Sequence, residues 1–266
     1  MPTDYTARTL LLEGADATAF AQAQFSSNVQ SLAIGTWQFG AWLDAQGRVL
    51  ALFHLARLAD DVLLLLLRGG DAASMAQSLQ RFVFRSKVKL TVPEPRALST
   101  GPALDTYAAR READAYVLGC GDHSMVIGAS QPDDAWRQPQ IDLGWPWLPN
   151  NTLGALLPQA LSLERLQAVA FDKGCYPGQE IVARLHYRGG LKRHMHCVVL
   201  SRPIDSGTVL HRSGENGIQL LDVAGDDASI QALAVIDDGL IHAIENVASI
   251  DTDEGLSLRV TQSWSA

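Results

Sequence analysis

Cysteine is scarce in this chain. Cys120, Cys175 and Cys197 are the only three in 266 residues, and no pair forms a C-x-x-C. A disulfide framework or a four-thiolate metal site is therefore not supported, and the pattern fits a reducing compartment. Long apolar runs are also missing. The longest leucine run, Leu63 to Leu67, is far too short to cross a membrane and reads as a buried strand. The N-terminal MPTDYTARTL carries an early acidic residue and no long apolar region, so it does not read as a signal peptide. A cytoplasmic monomer is expected. Positive charge is outnumbered, with 21 Lys and Arg against 29 Asp and Glu, a net charge of −8 and a pI near 5.3. Such a surface repels phosphate backbones and anionic lipid at long range, so neither nucleic acid nor membrane is expected as a direct partner. No G-x-S-x-G, P-loop or G-x-G-x-x-G is present.

What is there suits a folded, core-forming chain: 47 % hydrophobic and 19 % charged residues, enough for one large domain or two unequal ones. Two segments resemble each other, LLEGADATAFAQ from Leu11 and LLRGGDAASMAQ from Leu66. Each reads as strand, glycine turn, aspartate and alanine-rich helix, with Asp16 and Asp71 placed as helix caps. After Asp71, the spacing puts Met75, Leu79, Phe82 and Val83 on one helical face. TWQFGAWLDAQGRVLALFHLAR alternates and turns at Asp44 to Gly47, a hairpin pattern, and YVLGCGDHSMVIG reads as a second hairpin near Gly121-Asp122. FRSKVKLTV reads as a strand with Arg85, Lys87 and Lys89 on one face, either a solvated row or a cofactor contact.

Residues 131 to 160 are rich in Pro and Trp and form a long irregular stretch, the kind of ordered loop that often carries function. Ser162 is placed to cap a following helix, LERLQAVAF. Strands and helices mix without strict alternation, so the class expected is α+β. After Gly190 the texture changes. LKRHMHCVVL, GTVLHR, GIQLLDVAG, SIQALAVI, LIHAIEN and LSLRVTQ are evenly spaced strand candidates. A division into 1–190 and a small β-barrel over 191–266 follows.

The stretch DKGCYPGQE, residues 172 to 180, bends the chain tightly around one thiol beside a lysine. QEIVARLHYR carries good helix formers, so a helix beginning near Gly178, with Pro177 in its first turn, is expected. Cys175 then lies just outside a helix N-terminus, with Lys173 close in sequence. Both favour thiolate over thiol. A plain strand-to-helix connection holding a small buried side chain explains the same residues. Arg184, Arg188, Lys192 and Arg193 cluster after the loop, matching either an anionic small molecule or a solvated helix end. His194 and His196 share a strand face without an evident third metal ligand, and no metal site is expected.

KGCYPGQEIVAR followed by HYRGGLKR resembles the signature of the YgfZ group of folate-binding proteins. LPQALSLERLQAVAF and QFSSNVQSL with LDAQGRVL resemble two further stretches of that group. The resemblance extends to the aminomethyltransferase, or T-protein, of the glycine cleavage system. It implies two α+β parts around a channel plus a C-terminal β-barrel. It also implies binding of tetrahydrofolate or a derivative, and support for assembly or repair of iron–sulfur enzymes, including radical enzymes that modify tRNA.

Carried over by residue, Lys173 and Cys175 match the functional lysine and thiol of the loop, and Gln179 and Glu180 its Gln-Glu pair. Arg184 and Arg188 match the basic positions after it. Trp136 aligns, by its spacing to Pro158-Gln159, with a tryptophan linked to folate. The group's other folate-linked tryptophan has no counterpart in DYTARTLLLEGAD. Ala51 and Leu52 stand where the aminomethyltransferases are expected to carry their aspartate. Neither side chain can move a proton, so one-carbon transfer by that mechanism is not expected. A folate-dependent transferase and a thiol-based redox enzyme using Cys175 are the alternatives. The charge balance yields one test: at physiological salt, tRNA should not shift in a native gel with the purified protein. A tight, salt-sensitive complex would overturn this.

Overall fold

The computed structural model describes residues 6–128, 131–226, 229–242 and 249–264. Three antiparallel sheets carry the fold. The first runs, in spatial order, Thr36–Leu43, Val49–Ala59, Val62–Leu67, Thr9–Glu13 and Lys89–Thr91. The second runs Thr6–Ala7, Arg96–Gly101, Ser124–Gly128, Ala115–Gly119 and Ala109–Glu112. The third has six strands: Val209–Arg212, Glu215–Asp226, Ser229–Asp237, Arg193–Leu200, Ser257–Ser263 and Ile250–Asp251. Among the described residues, no helix is long and apolar enough to cross a membrane.

The leucine run shows how the sequence makes these layers. Side chains alternate across a strand. Leu64 and Leu66 therefore enter the core shared by all three sheets, while Leu63, Leu65 and Leu67 face a second core. Helices Ala17–Gln24 and Ala72–Gln80 cover that second face with Phe20, Met75 and Leu79. A strand covered on both faces has no polar alternation to show.

The third sheet curls into a nearly closed barrel around Val198, Leu210, Ile218, Leu220, Ala234 and Ile236. Its outer wall supplies Met195, Cys197, Leu233 and Val235 to the shared core. The two edges meet through the 252–254 turn. Asp253 N donates to His211 O at 2.9 Å, and the Asp253 carboxylate accepts from Ser213 N and Gly214 N at 3.0 and 2.8 Å. The fold is α+β, as the mixing of strands and helices implied.

Both expected hairpins form. Asp44 turns the first, its Oδ1 accepting from Gln46 N and Arg48 N at 2.9 and 2.8 Å. Elsewhere local pattern loses to tertiary contact. Asp71 caps its helix through Ser74 N at 2.8 Å. Asp16 does not cap its own, because its carboxylate accepts from Lys87 N instead, at 2.6 Å. That bond pins the chain off the ladder, so FRSKVKLTV is a strand only over Lys89–Thr91. Phe82 falls beyond the helix end at Gln80 and is exposed.

Ser162 caps no helix. It adopts φ 51 after the 3₁₀ turn Pro158–Leu161, and Gln167 is also left-handed at φ 54. An α-helix does not run through such residues. The buried side chains of Leu163, Leu166 and Ala168 instead pack this stretch into the shared core. LIHAIEN is not a strand where described: Asp238–His242 is a short helix, and residues 243–248 lie outside the described residues.

One side chain ties the layers together. Arg68, fully buried, follows the leucine strand. Its Nε donates to Pro146 O at 2.9 Å, NH2 to Trp145 O at 2.7 Å, and NH1 to Gln140 Oε1 at 2.5 Å. His54 Nε2 lies 2.9 Å from NH1. A guanidinium only donates, so this nitrogen accepts and the ring proton sits on Nδ1. Burial, then the Arg68 charge, hold the imidazole neutral. Arg68→Met should lower stability by at least about 3 kcal/mol, since each buried acceptor left without a donor costs ~1–3 kcal/mol. Urea unfolding measures it, and a loss under about 1 kcal/mol would show the network to be incidental.

Candidate functional site

The 172–180 loop is braced from two sides. Lys173 Nζ donates to Phe25 O at 2.5 Å and Ser27 O at 2.8 Å, and lies 5.0 Å from the Tyr176 ring centroid. Ser26, between those carbonyls, donates through its Oγ hydroxyl to Ala168 O at 2.6 Å, with Ala41 O of the first sheet 3.1 Å from the same oxygen. The lysine is therefore the bolt between the loop and the 25–27 segment, which Ser26 N in turn ties to Ala41 O of the first sheet at 2.9 Å. On the other side Gly178, at φ 78, sits against the Asp44–Gly47 turn. A Cβ there would lie 2.5 Å from Asp44 O and 2.7 Å from Gly47 Cα. Only glycine fits both the left-handed backbone and the approach.

The helix that follows spans Gln179–Arg188, with Gly178 as its N-cap residue. Pro177 thus precedes the cap rather than occupying the first turn. Val182 is buried beneath the helix, and Gln159 Nε2 donates to Val182 O at 3.0 Å. Glu164 takes His186 Nδ1 at 2.7 Å, and the His186 ring stacks on Phe171 at 4.0 Å. Glu180, Arg184 and Arg188, four residues apart on one helical face, are all exposed, and Gln179 is half-buried.

On this support Cys175 is exposed, whereas Cys120 and Cys197 are buried. Burial pushes the Cys120 thiol up to about 12 and raises that of Cys197. Only the loop thiol is available to an outside molecule. The Lys173 amine, by contrast, is committed to carbonyls and a ring face.

Trp136 sits elsewhere, at the start of helix Arg137–Asp142. It is buried, its indole N–H donates to Asp133 O at 2.9 Å, and its ring leans on Trp147 with centroids 4.9 Å apart. Among the described residues, no hydrogen bond or ring contact links it to the 172–188 segment. Trp147 in turn lies over the Arg68 guanidinium at 4.8 Å. It lines a pocket of about 240 Å³ with Thr6, Arg8, Gly69, Gly70 and Asn150. Ala51 and Leu52 are buried behind this pocket, next to Gly70 and Gly69.

No family model matches the chain. It is 29 % identical over 190 residues to an uncharacterized protein of Haemophilus influenzae, covering 69 % of this chain and 68 % of that one. It is 28 % identical over 270 residues to the tRNA-modifying protein YgfZ of Colwellia psychrerythraea, covering 86 % and 83 % of the two chains. The YgfZ of Edwardsiella ictaluri is 27 % identical over 284 residues, with 94 % and 84 % covered. The chain is YgfZ-like. Among solved structures, the glycine cleavage system aminomethyltransferase T of Bartonella henselae superposes with a TM-score of 0.73 at 16 % identity. That match covers 96 % of this chain and 83 % of the other, and it shows the fold.

In this YgfZ-like chain the two histidines are paired inside the barrel sheet: His194 Nδ1 lies 2.6 Å from Asp238 Oδ1, and His196 Nδ1 lies 2.8 Å from Ser263 Oγ. Among the described residues, no group of three or more His, Cys, Asp or Glu could hold a metal. Sequence reasoning missed Arg68, His54 and Trp147. The signal was a lone arginine ending an otherwise apolar buried strand, since a buried charge must find partners.

Burial holds the Lys173 amine at about 8, below the 10.5 of a free lysine. Between those values the unfolded chain binds more protons than the folded one, so stability rises with pH there. The relief is complete above the unfolded value and lost as pH falls through about 8. The melting temperature of wild type relative to Lys173→Met should therefore climb between pH 7 and 9.5. A flat difference would show that the amine is not desolvated.

Proposed function

We propose that this protein binds a reduced folate and supports the assembly or repair of iron–sulfur enzymes, among them enzymes that modify tRNA. The observation that carries the reading is the exposed Cys175 on a loop bolted by Lys173 and seated by Gly178, in a chain similar to YgfZ proteins over most of its length. Rigid seating of one accessible sulfur is what a surface thiol that meets a partner's cluster or ligand requires. Lys173 acts by positioning: its two carbonyl bonds fix where the thiol stands.

The residues fit a folate. Its flat pterin head matches the Trp147 ring face beside the Gly69–Gly70 backbone, where side chains are absent. Arg8 at the rim suits a carboxylate tail. Trp136 supports Trp147 from behind. When bound, the folate supplies a one-carbon carrier. Among the described residues that line this pocket none is a carboxylate, and Ala51 and Leu52 back it, so none of those residues offers a carboxylate to take or give a proton. In this reading residues 1–190 hold the ligand, and the 191–266 barrel buttresses them through Met195, Leu233 and Val235. Gln179, Glu180, Arg184 and Arg188 then face the partner rather than the pterin.

Two measurements test it together. Titration with tetrahydrofolate should quench tryptophan fluorescence in wild type and lose most of that quenching in Trp147→Leu. In a deletion strain, Cys175→Ser should melt like wild type yet fail to restore a cluster-dependent tRNA-thiolating enzyme. Absence of heat and quenching at millimolar folate would sink the ligand assignment. Full complementation by folded Cys175→Ser would reduce the loop to a turn.

A further inference from the structure

Residues 81–89 project two aromatic rings into solvent. Phe84 is 86 % exposed and Phe82 55 %. Arg81, Arg85, Lys87 and Lys89 belong to the same segment, all exposed. The Arg85 guanidinium lies 5.5 Å from the Phe84 ring centroid. Among the described residues, no ion pair or side-chain hydrogen bond within the chain engages any of these four cations.

The patch is held rigidly at both ends. Phe82 N donates to Leu79 O at 2.9 Å, continuing from the helix, and Asp16 N donates to Lys87 O at 3.2 Å while its carboxylate takes Lys87 N. Gly14, at φ +132, admits that carbonyl: a Cβ there would stand 2.1 Å from it. Val88 is buried next to the pinned residue. Backbone held this way has little freedom left to lose on binding.

A lysine on the edge strand Lys89–Thr91 has a local explanation, since cations guard open sheet edges. The two phenylalanines do not, and a cluster of exposed aromatics among arginines is the composition of an interface anchor with its rim. We infer that this patch docks an acidic protein surface, one presenting carboxylates around an apolar socket that receives Phe84. The net charge of −8 disfavours approach to a polyanion or an anionic bilayer as a whole. A protein segment with carboxylates flanking an apolar contact meets the four cations without confronting the rest of the acidic surface. This inference does not rest on the folate reading.

The test uses the full chain, immobilised, against a displayed library of random peptides. Enrichment should favour sequences in which Asp or Glu flank a large apolar residue. For a resynthesised peptide, Phe84→Ser should weaken binding at least about tenfold, the loss typical of an anchor truncation. Arg85→Glu, at an exposed position whose native side chain makes no ion pair or side-chain hydrogen bond among the described residues, should weaken it similarly and leave the melting curve unchanged, which separates docking from folding. The inference is overturned by no enrichment, by enriched peptides lacking acidic residues, or by equal binding to the variants. It is also overturned if the same variants instead abolish binding to oligouridylate or to phosphatidylserine vesicles, or abolish self-association.

Discussion

A single buried guanidinium is the constraint on which the arrangement turns. Arg68 cannot shed its proton in the interior: burial lowers its pKa only to about 10. The surrounding chain must therefore offer acceptors from every side. It does so with Trp145 O and Pro146 O, with Gln140 from a helix and with His54 from the neighbouring strand. The irregular 143–150 stretch is held in place by those bonds and by Leu148 N on Arg68 O at 2.6 Å. Trp147 then has a fixed position, lying over the guanidinium and facing the pocket. His54, kept neutral, stacks flat on Trp37 at 4.1 Å, and the Trp37 indole donates to Gly119 O in the second sheet. One charge thus sets a pocket-facing ring and joins two sheets.

What could be read from the sequence follows the same logic. The hairpins, the Asp71 cap, most of the barrel strands and the α+β class were legible because each rests on local period or turn chemistry. The failures share a cause. Asp16 lost its cap to Lys87, a residue far along the chain, and Ser162 lost its helix to packing that no neighbouring residue announces. The loop around Cys175 was legible as a tight turn. The lysine's orientation was not, because its acceptors are carbonyls at Phe25 and Ser27, and every residue has a carbonyl. The pocket wall was hidden for a related reason: Trp147 matters through what lies behind it.

The two glycines beneath the thiol loop and the aromatic patch work by the same device, a missing Cβ that lets a distant backbone close in. Gly178 receives the Asp44–Gly47 turn and seats the thiol loop. Gly14 receives Lys87 O and fixes the aromatic patch. In both places a segment is made rigid by an approach that any other residue would block. Exposed features therefore stand on fixed backbone rather than on wandering loops.

The unequal burial of the sulfurs has a consequence for anyone handling the protein. With one thiol outside and two sealed within the shared core and the barrel wall, the folded chain offers one reactive sulfur and the fully opened chain offers three. The number of alkylated cysteines per molecule is then a direct count of openings. Cys120 reports on the second sheet and Cys197 on the barrel strand against the core, each on its own timescale. The molecule carries a built-in clock for its own breathing, with Cys175 as the reference hand.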